Sequence, residues 1–589
     1  MFRLLTAIIL IFLVSACSEN QPQNTASWDQ EIKLNKASDT NSAENIVEIN
    51  LTAAPQEVEI TPGVKTTLWT YNNSFPGPTI EANVGDILKI NFTNNLPVNT
   101  TIHWHGLELP ANMDGSSIAQ LPVLANGGTF TYQFKLNNAA TYWYHPHINS
   151  HVQVEMGLYG ALIVRDPAEE SLGLPEKETV IIFDDILLDE NGQVAPPSDQ
   201  LNPPDPIKNA ITQLNGRESD LFLVNGRGIP TSTTGEHLHN LNVNSGEPIR
   251  IRMINAANAR FFRFSIPGYV AYQIGNDSGL LSQAKSIFPI PLLDNNNNKV
   301  SSRSISPRDG EPLNLFSDPS LDYGIMLVPG ERADIIFTPI GKKNDNVFME
   351  WHFFPRGYHG VELDANNQYV INHDHLPAQT LPFRLLQFTI NNEGAEVANS
   401  YLPPNFLKSI TPIDYDSNTK ILPITFGHSL QADTNGNFEF FATTNQLGQG
   451  IPFSQVTEEL ALKATVGETY IWEITNLTQG DHPFHPHGFS FQHISTQYID
   501  SETAENNRTE FASTIETKDT IRVPGRPGKL STSKTITRLA VKIDDTGREG
   551  QITAGNLTPT SSTSGGWFVH CHILEHANKG MGTYLSVSN

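Results

Sequence analysis

The chain has 589 residues, 38% of them hydrophobic, with 37 Lys+Arg against 62 Asp+Glu and a formal net charge of −25. This length and composition read as a soluble protein of three or four domains. The acidic balance, with no cluster of Lys and Arg, excludes a nucleic-acid partner, because a phosphate backbone is bound by clustered cations.

At the N-terminus, "MFRLLTAIILIFLVSAC" has one basic residue and then an apolar run from Leu4 to Val14, too short to span a bilayer comfortably. Residues 1–16 are expected to be an export signal peptide. Val14-Ser15-Ala16-Cys17 resembles a bacterial lipobox, which implies lipid attachment and a membrane anchor at Cys17; ordinary cleavage near Ala16 is the alternative. Residues 17–44, rich in Ser, Asn, Gln, Thr and Glu, read as a flexible tether. Cys571 is then the one other thiol, so the mature chain has no disulfide framework although an exported compartment would permit one.

Three segments share one pattern: "GDILKINFTN" (85–94), "GEPIRIRMIN" (246–255) and "GETYIWEITN" (467–476). Each has apolar residues three, five and seven after the glycine and a closing asparagine. Period two with a fixed apolar face predicts a half-buried strand. Recurrence at spacings of 161 and 221 residues indicates a repeated domain and not a solenoid. Short alternating runs such as "TVIIFDDILL" (179–188) and "ADIIFTPI" (333–340) fill the rest, and no long amphipathic helix stands out. The expected fold is all-β, with three Greek-key sandwiches or barrels in series at residues 45–168, 169–380 and 381–589.

Chance placement of 19 histidines in this length gives fewer than one His-x-His pair, and there are six. On a strand, residues two apart share a face, so "HWHG" (103–106), "HPH" (145–147), "HPFHPH" (482–487) and "HCH" (570–572) can each aim two imidazoles into one pocket. Clustered neutral imidazoles suit Zn, Cu, Fe or Ni. Cys571 with His576, Met581 and His482 makes the thiolate, two-imidazole and thioether set of a blue-copper site, whereas structural zinc would need more thiolates. His570 and His572 face away from Cys571 and reach other metals, leaving a covalent route of roughly ten ångströms across the strand. The pairs His237/His239 and His373/His375 are expected on loops without metal.

In order and spacing, the segments "HWHG", "HPH", "HPFHPH" and "HCHILEHANKGM" resemble the four copper signatures of the multicopper oxidases, whose members have three cupredoxin domains. The resemblance implies four copper ions. His482, Cys571, His576 and Met581 would form the type 1 site, His103 and His485 the type 2 site, and His105, His145, His147, His487, His570 and His572 the type 3 pair. With ligands from the first and third repeats, the trinuclear cluster is expected between them. The second repeat, lacking a histidine motif, would be a copper-free spacer. Catalysis would couple four one-electron oxidations, entering through Cys571 and leaving through His570 and His572, to reduction of O2 to water.

Asp114 in "NMDG" resembles a carboxylate that handles protons near the trinuclear site; a turn-forming role is the alternative. Related bacterial oxidases often carry a glutamate directly after the type 1 histidine as part of a proton relay. Ala577 stands there in this chain, so its relay must differ or be slower.

The resemblance implies a laccase-like oxidase of phenols or aromatic amines, with an oxidase of reduced metal ions, Cu(I), Fe(II) or Mn(II), as the alternative. Met581 argues for a low or middling type 1 potential, and seven methionines without a cluster argue against a dedicated Cu(I) role. Asp481, beside His482, weakly favours cations. Copper-free cell-division proteins share the scaffold, but the complete ligand set here argues against that reading. The expected location is exported, either periplasmic or attached to the outer membrane as a lipoprotein.

Overall fold

A computed structural model describes residues 33–588 except 220, 230–237, 291, 294–298, 301–323, 355, 358–359, 364–368, 373–381, 393–400, 529 and 545–565. The expected signal peptide, Cys17, His237, His373 and His375 lie outside the described residues.

The three repeated segments are strands, Ile87–Asn94, Ile249–Asn255 and Thr469–Asn476. Each occupies the same place in its sheet, pairing in parallel with a preceding strand (Ile46–Thr61, Glu178–Ile186 and Lys420–His428) and antiparallel with a following one (Gly128–Lys135, Arg332–Phe337 and Lys534–Lys542). The apolar face predicted from period two is buried in all three, Leu88, Ile90 and Phe92, then Ile249, Ile251 and Met253, then Tyr470, Trp472 and Ile474, but the middle strand is not the half-buried one expected, because Arg250, Arg252 and Ile254 on its other face are covered as well. Each such large apolar side chain contributes about 1.5–3 kcal/mol through burial.

The closing asparagine also has one role used three times. Asn94, Asn255 and Asn476 are buried, and each side-chain amide donates to carbonyls of two neighbouring segments, Val98 and Val123, Arg260 and Leu327, and Gly480 and Pro524 respectively. Each carboxamide oxygen accepts the backbone N–H two residues on. A short amide that offers donors and an acceptor together, and so ties two neighbouring segments to the end of its strand, explains the residue type.

Each repeat strand belongs to one sheet that packs against a second, of four strands in the first set and five in the other two. The three largest apolar cores are built mainly from three successive stretches of chain, as the all-β reading expects, and the third also takes in Ala111, Ala119, Ala210, Leu214 and Ala259. The strand Phe383–Ile390 pairs with His239–Val243 and Asn346–Trp351, so the middle set runs to Ile390, past the boundary expected at residue 380. His239 opens one of these strands and is buried, not on a loop.

Three short α-helices are present among the described residues: α1 (Ser150–Gln153), α2 (Pro206–Asn215) and α3 (Leu574–Asn578). No described helix is long and apolar enough to cross a membrane. Helix α2 went unread in the sequence although its signals are there. Asp205 caps it by accepting from Lys208 N at 3.0 Å, Pro206 takes the first turn, and Gly216 follows with φ of 72°. Its Ala210 and Leu214 join the core of the third set of strands.

Candidate metal centre

Strand pairing brings the histidine motifs together. His103–His105 runs antiparallel to Ala140–His145 with His103 opposite His145, and His482–Pro486 runs antiparallel to Trp567–Cys571 with His485 opposite His570 and Phe484 opposite Cys571. Alternation along the last strand sends Trp567, Val569 and Cys571 into the third core while Phe568 packs in a different cluster, so His570 faces away from the thiol.

Three groups of ring nitrogens converge there, each group within 4.8 Å: His103, His105 and His485; His105, His145 and His572; and His147, His487 and His570. Backbone carbonyls, which can only accept, hold one nitrogen of four of these eight rings as a donor. His103 Nδ1 donates to Asp114 O at 2.8 Å, His145 Nδ1 to Pro146 O at 3.0 Å, His485 Nδ1 to Asp519 O at 2.8 Å and His570 Nδ1 to Cys571 O at 2.8 Å. The tautomer is thereby fixed and the Nε2 lone pairs face inward.

His105 is turned the other way, with Nε2 3.1 Å from Thr520 Oγ1 and Nδ1 left over. His103 Nε2, His105 Nδ1, His145 Nε2, His485 Nε2 and both nitrogens of His572 are buried with no hydrogen-bond partner. Burial and the neighbouring imidazoles press the pKa values of His105, His145, His147, His485 and His570 well below the ordinary range. These rings are therefore neutral, with lone pairs free to bind metal. So many orphaned buried acceptors are costly unless a cation occupies the space between them, and the donor set fits copper.

A second group lies in the third core. Cys571 Sγ is 3.5 Å from His482 Nδ1 and 3.6 Å from His576 Nδ1, and the two Nδ1 atoms are 3.2 Å apart. The far nitrogens are held, His482 Nε2 by Thr478 Oγ1 at 2.7 Å and His576 Nε2 by the α2 carbonyl of Leu214 at 3.2 Å. Met581 is buried in the same core, and its backbone is tied to this loop by Cys571 N→Met581 O at 3.1 Å and Met581 N→His576 O at 2.9 Å. Burial pushes the Cys571 thiol pKa up in the absence of metal, so thiolate character there depends on a bound cation.

The two imidazoles are only 2% and 1% exposed. The open imidazole edge that a laccase-like donor port would present is thus covered, by Leu214 on one side and by Phe440 stacked on His576 at 4.6 Å.

Asp114 is buried between two histidines of the cluster. Its Oδ2 accepts from His487 Nδ1 at 2.7 Å, and its Oδ1 lies 3.3 Å from His103 Nδ1. Burial works to raise its pKa, but His487 and His103 outweigh this and hold the carboxyl well below the usual range. It also closes the 3-10 turn Ala111–Met113, donating its N–H to Ala111 O at 3.2 Å. Ala577 lies on α3 and supplies no ionisable group. Asp481 is no free cation-binding carboxylate. It is buried, paired with Arg522, and accepts from Gly525 N at 2.7 Å. Thr478, Leu214, Asp519 and Thr520 support the metal-facing rings and were not foreseen, because nothing in their local sequence marks residues that meet the histidines only through tertiary packing.

Models of the multicopper oxidase family match residues 52–169, 197–271, 426–548 and 550–589, more than half of the chain. A multicopper oxidase of Mycobacterium tuberculosis is 33% identical over 278 residues, covering 44% of this chain and 52% of that protein. A laccase of Bacillus subtilis is 25% identical over 568 residues, covering 89% of this chain and 91% of that one. Among solved structures, a multicopper oxidase from Campylobacter jejuni, described as a metallo-oxidase, superposes with a TM-score of 0.66 at 25% identity over 95% of both chains. Sequence family, fold and a copper-compatible donor set agree: this chain belongs to the multicopper oxidases, copper-dependent oxidoreductases that use O2.

Proposed function

We propose that the chain is a laccase-like oxidase in which electrons enter at Cys571, His482 and His576 and leave through His570 and His572. The observation that carries this reading is that one strand end holds both groups, with Cys571 in the thiol–imidazole triad and its two neighbours in the histidine cluster. In this reading His482, Cys571, His576 and Met581 hold the type 1 copper, His103 and His485 the type 2, and His105, His145, His147, His487, His570 and His572 the type 3 pair. Copper bound there supplies one-electron oxidation of the donor and four-electron reduction of O2 to two waters. The residues do the rest. Carbonyl acceptors hold His103, His145, His485, His570 and His576 in their metal-binding tautomers, and Asp114 Oδ2 holds the proton-bearing Nδ1 of His487 and accepts or returns a proton beside the cluster.

The donor follows from the roof over His576. With both imidazoles covered, a donor delivers its electron through the Leu214 carbonyl at the C-terminal end of α2, without touching a ring. Such transfer selects by potential more than by shape, which suits easily oxidised phenols and aromatic amines. A metal-ion donor is the second reading, favoured by a polar cleft beside α2 lined by His151, Asp199, Arg217, Glu575 and Lys579. In that cleft Glu575 Oε2 and His151 Nδ1 are buried without a hydrogen-bond partner. The deciding experiment is steady-state kinetics of copper-loaded protein with a dimethoxyphenol, Cu(I) and Fe(II) side by side, for the wild type and Glu575→Gln. A phenol efficiency at least equal to that for either ion, insensitive to Glu575→Gln, supports the laccase-like reading. A metal-ion efficiency that dominates and collapses in Glu575→Gln replaces it.

The chain is further proposed to be exported and held at a membrane by lipid on Cys17, in the periplasm or on the outer membrane. The apolar run and the lipobox-like Val14–Cys17 support this. Metabolic labelling with a fatty acid, lost in Cys17→Ala, tests it.

A further inference from the structure

The middle set of strands contributes no described histidine to the cluster, yet one of its side chains grips a residue that touches it. Arg332, at the start of the strand Arg332–Phe337, is fully buried. Its guanidinium donates to all three sets of strands. Nε bonds Thr141 O at 3.0 Å, on the strand that carries His145. Nη1 and Nη2 bond Gly330 O at 3.0 Å and Asp277 O at 2.9 Å within the middle set, and both grip the Asp519 carboxylate, at 2.7 and 2.6 Å.

Asp519 in turn touches the cluster. Its Oδ1 lies 3.3 Å from His105 Nε2, and its main-chain oxygen accepts from His485 Nδ1 at 2.8 Å. The Thr520 hydroxyl donates to Asp519 Oδ1 at 2.8 Å and lies 3.1 Å from His105 Nε2. Two glycines make room for this arrangement. A Cβ on Gly106, next to His105, would fall 2.3 Å from Arg332 Nη2 and 2.5 Å from Asp519 Oδ2, and one on Gly330 would fall 2.8 Å from His105 Cε1. Both have φ near +90°, where a side chain is strained as well as crowded.

We propose that Arg332 and Asp519 are a positioning pair by which the copper-free middle strands orient His105 and His485 for metal binding. The bidentate guanidinium fixes the plane of the carboxylate. The carboxylate and Thr520 then hold the Nε2 hydrogen of His105, so that this ring presents Nδ1 while its neighbours present Nε2. The middle strands therefore do more than space the other two sets. Lysine cannot substitute, because one ammonium has neither the planar fork nor five donors.

The inference rests on the type 2 and type 3 ligand reading above, and the experiment separates the two. Copper-loaded wild type, Arg332→Lys and Thr520→Val are compared by type 2 electron paramagnetic resonance, visible absorption, copper affinity and melting temperature. Wild-type protein without a type 2 signal overturns the ligand reading itself. With that signal present, the expected result is an altered type 2 hyperfine splitting and about 10–100-fold weaker type 2 copper binding in Arg332→Lys. A shift in the same direction is expected in the near-isosteric Thr520→Val, and the intense type 1 absorption stays at wild-type strength in both. If Arg332→Lys does not fold, Thr520→Val decides alone. A wild-type spectrum and affinity in Thr520→Val, or parallel loss of type 1 and type 2 signals in it, overturns the positioning role.

Discussion

Asp114 Oδ2 and His487 Nδ1 are 373 residues apart in sequence and 2.7 Å apart in space. The carboxylate fixes which nitrogen of His487 carries hydrogen, leaving Nε2 to meet His570 Nε2 at 3.1 Å inside the cluster. Asp114→Asn keeps an acceptor oxygen for that hydrogen bond but cannot take up or release a proton. Copper content is expected to stay near wild type while turnover falls about 10–100-fold. Stopped-flow reduction of the blue chromophore by a phenol should remain fast while reoxidation by O2 slows. Equal slowing of both half-reactions would reduce Asp114 to its turn.

Cys571→Ser is expected to remove the intense visible absorption and abolish turnover while the histidine cluster keeps its copper. Among the described residues Cys571 is the thiol that meets His482 and His576, a thioether such as Met581 supplies no comparable charge-transfer band, and all members of the three imidazole groups remain. Absorption spectra with metal analysis check this, and a blue, active serine variant would contradict the electron-entry assignment.

The roof over His576 can be loosened without touching a metal-facing residue. Asp205→Ala removes the acceptor for Lys208 N and costs about 0.5–2 kcal/mol of helix α2 stability. Because Leu214 O lies 3.2 Å from His576 Nε2 on that helix, a slight drop in melting temperature should accompany a several-fold higher kcat/KM for a bulky phenol. An unchanged kcat/KM would mean that electrons enter elsewhere.

Asp481→Asn should act on stability and not on donor choice. The carboxylate is paired with Arg522 and bonded to Gly525 N, so the amide leaves a mostly buried guanidinium without its counter-charge. A loss on the order of 1–3 kcal/mol is expected in denaturant melts. KM for Fe(II) and for a phenol should be unchanged, and a selective rise for Fe(II) would restore Asp481 as a cation-binding residue.

Metal-free protein should be acid-sensitive. Burial lowers the folded-state pKa of His487 to about 4 and of His572 to about 3, below the unfolded value of roughly 6.5. The stability these neutral rings allow is fully present above pH ~6.5 and is lost as pH falls toward the folded values, because the unfolded chain binds the protons first. Glu155, raised to about 7 by burial, acts in the opposite direction above pH ~4.5, as do the buried carboxyls of Asp184, Asp185, Asp277, Glu331, Glu350 and Glu575, also raised, but the buried histidines held low outnumber them. Urea melts of chelator-treated protein from pH 7 to pH 4 should lose stability on the order of a few kcal/mol. A flat profile would mean that the rings are not buried and neutral.

What the sequence determined by itself was local. Period-two alternation marked Leu88, Ile90 and Phe92 and their two counterparts as buried strand faces, because on a strand the facing of a side chain depends only on its neighbours. The same rule put His570 and His572 opposite Cys571, and motif spacing identified every imidazole that enters the three clusters. What only the tertiary structure decided was partnership across the chain. Sequence carries no register between strands hundreds of residues apart, so the grouping of His147 with His487 and His570, the covering of His576 by Leu214, the diversion of Asp481 to Arg522 and the grip of Arg332 on Asp519 all awaited the packing of one set of strands against another. The asparagines closing the three repeats show the boundary between the two. Their recurrence was plain in the sequence, but their reason, carbonyls of segments remote in the chain that each amide ties to its strand end, exists only once those segments are folded together.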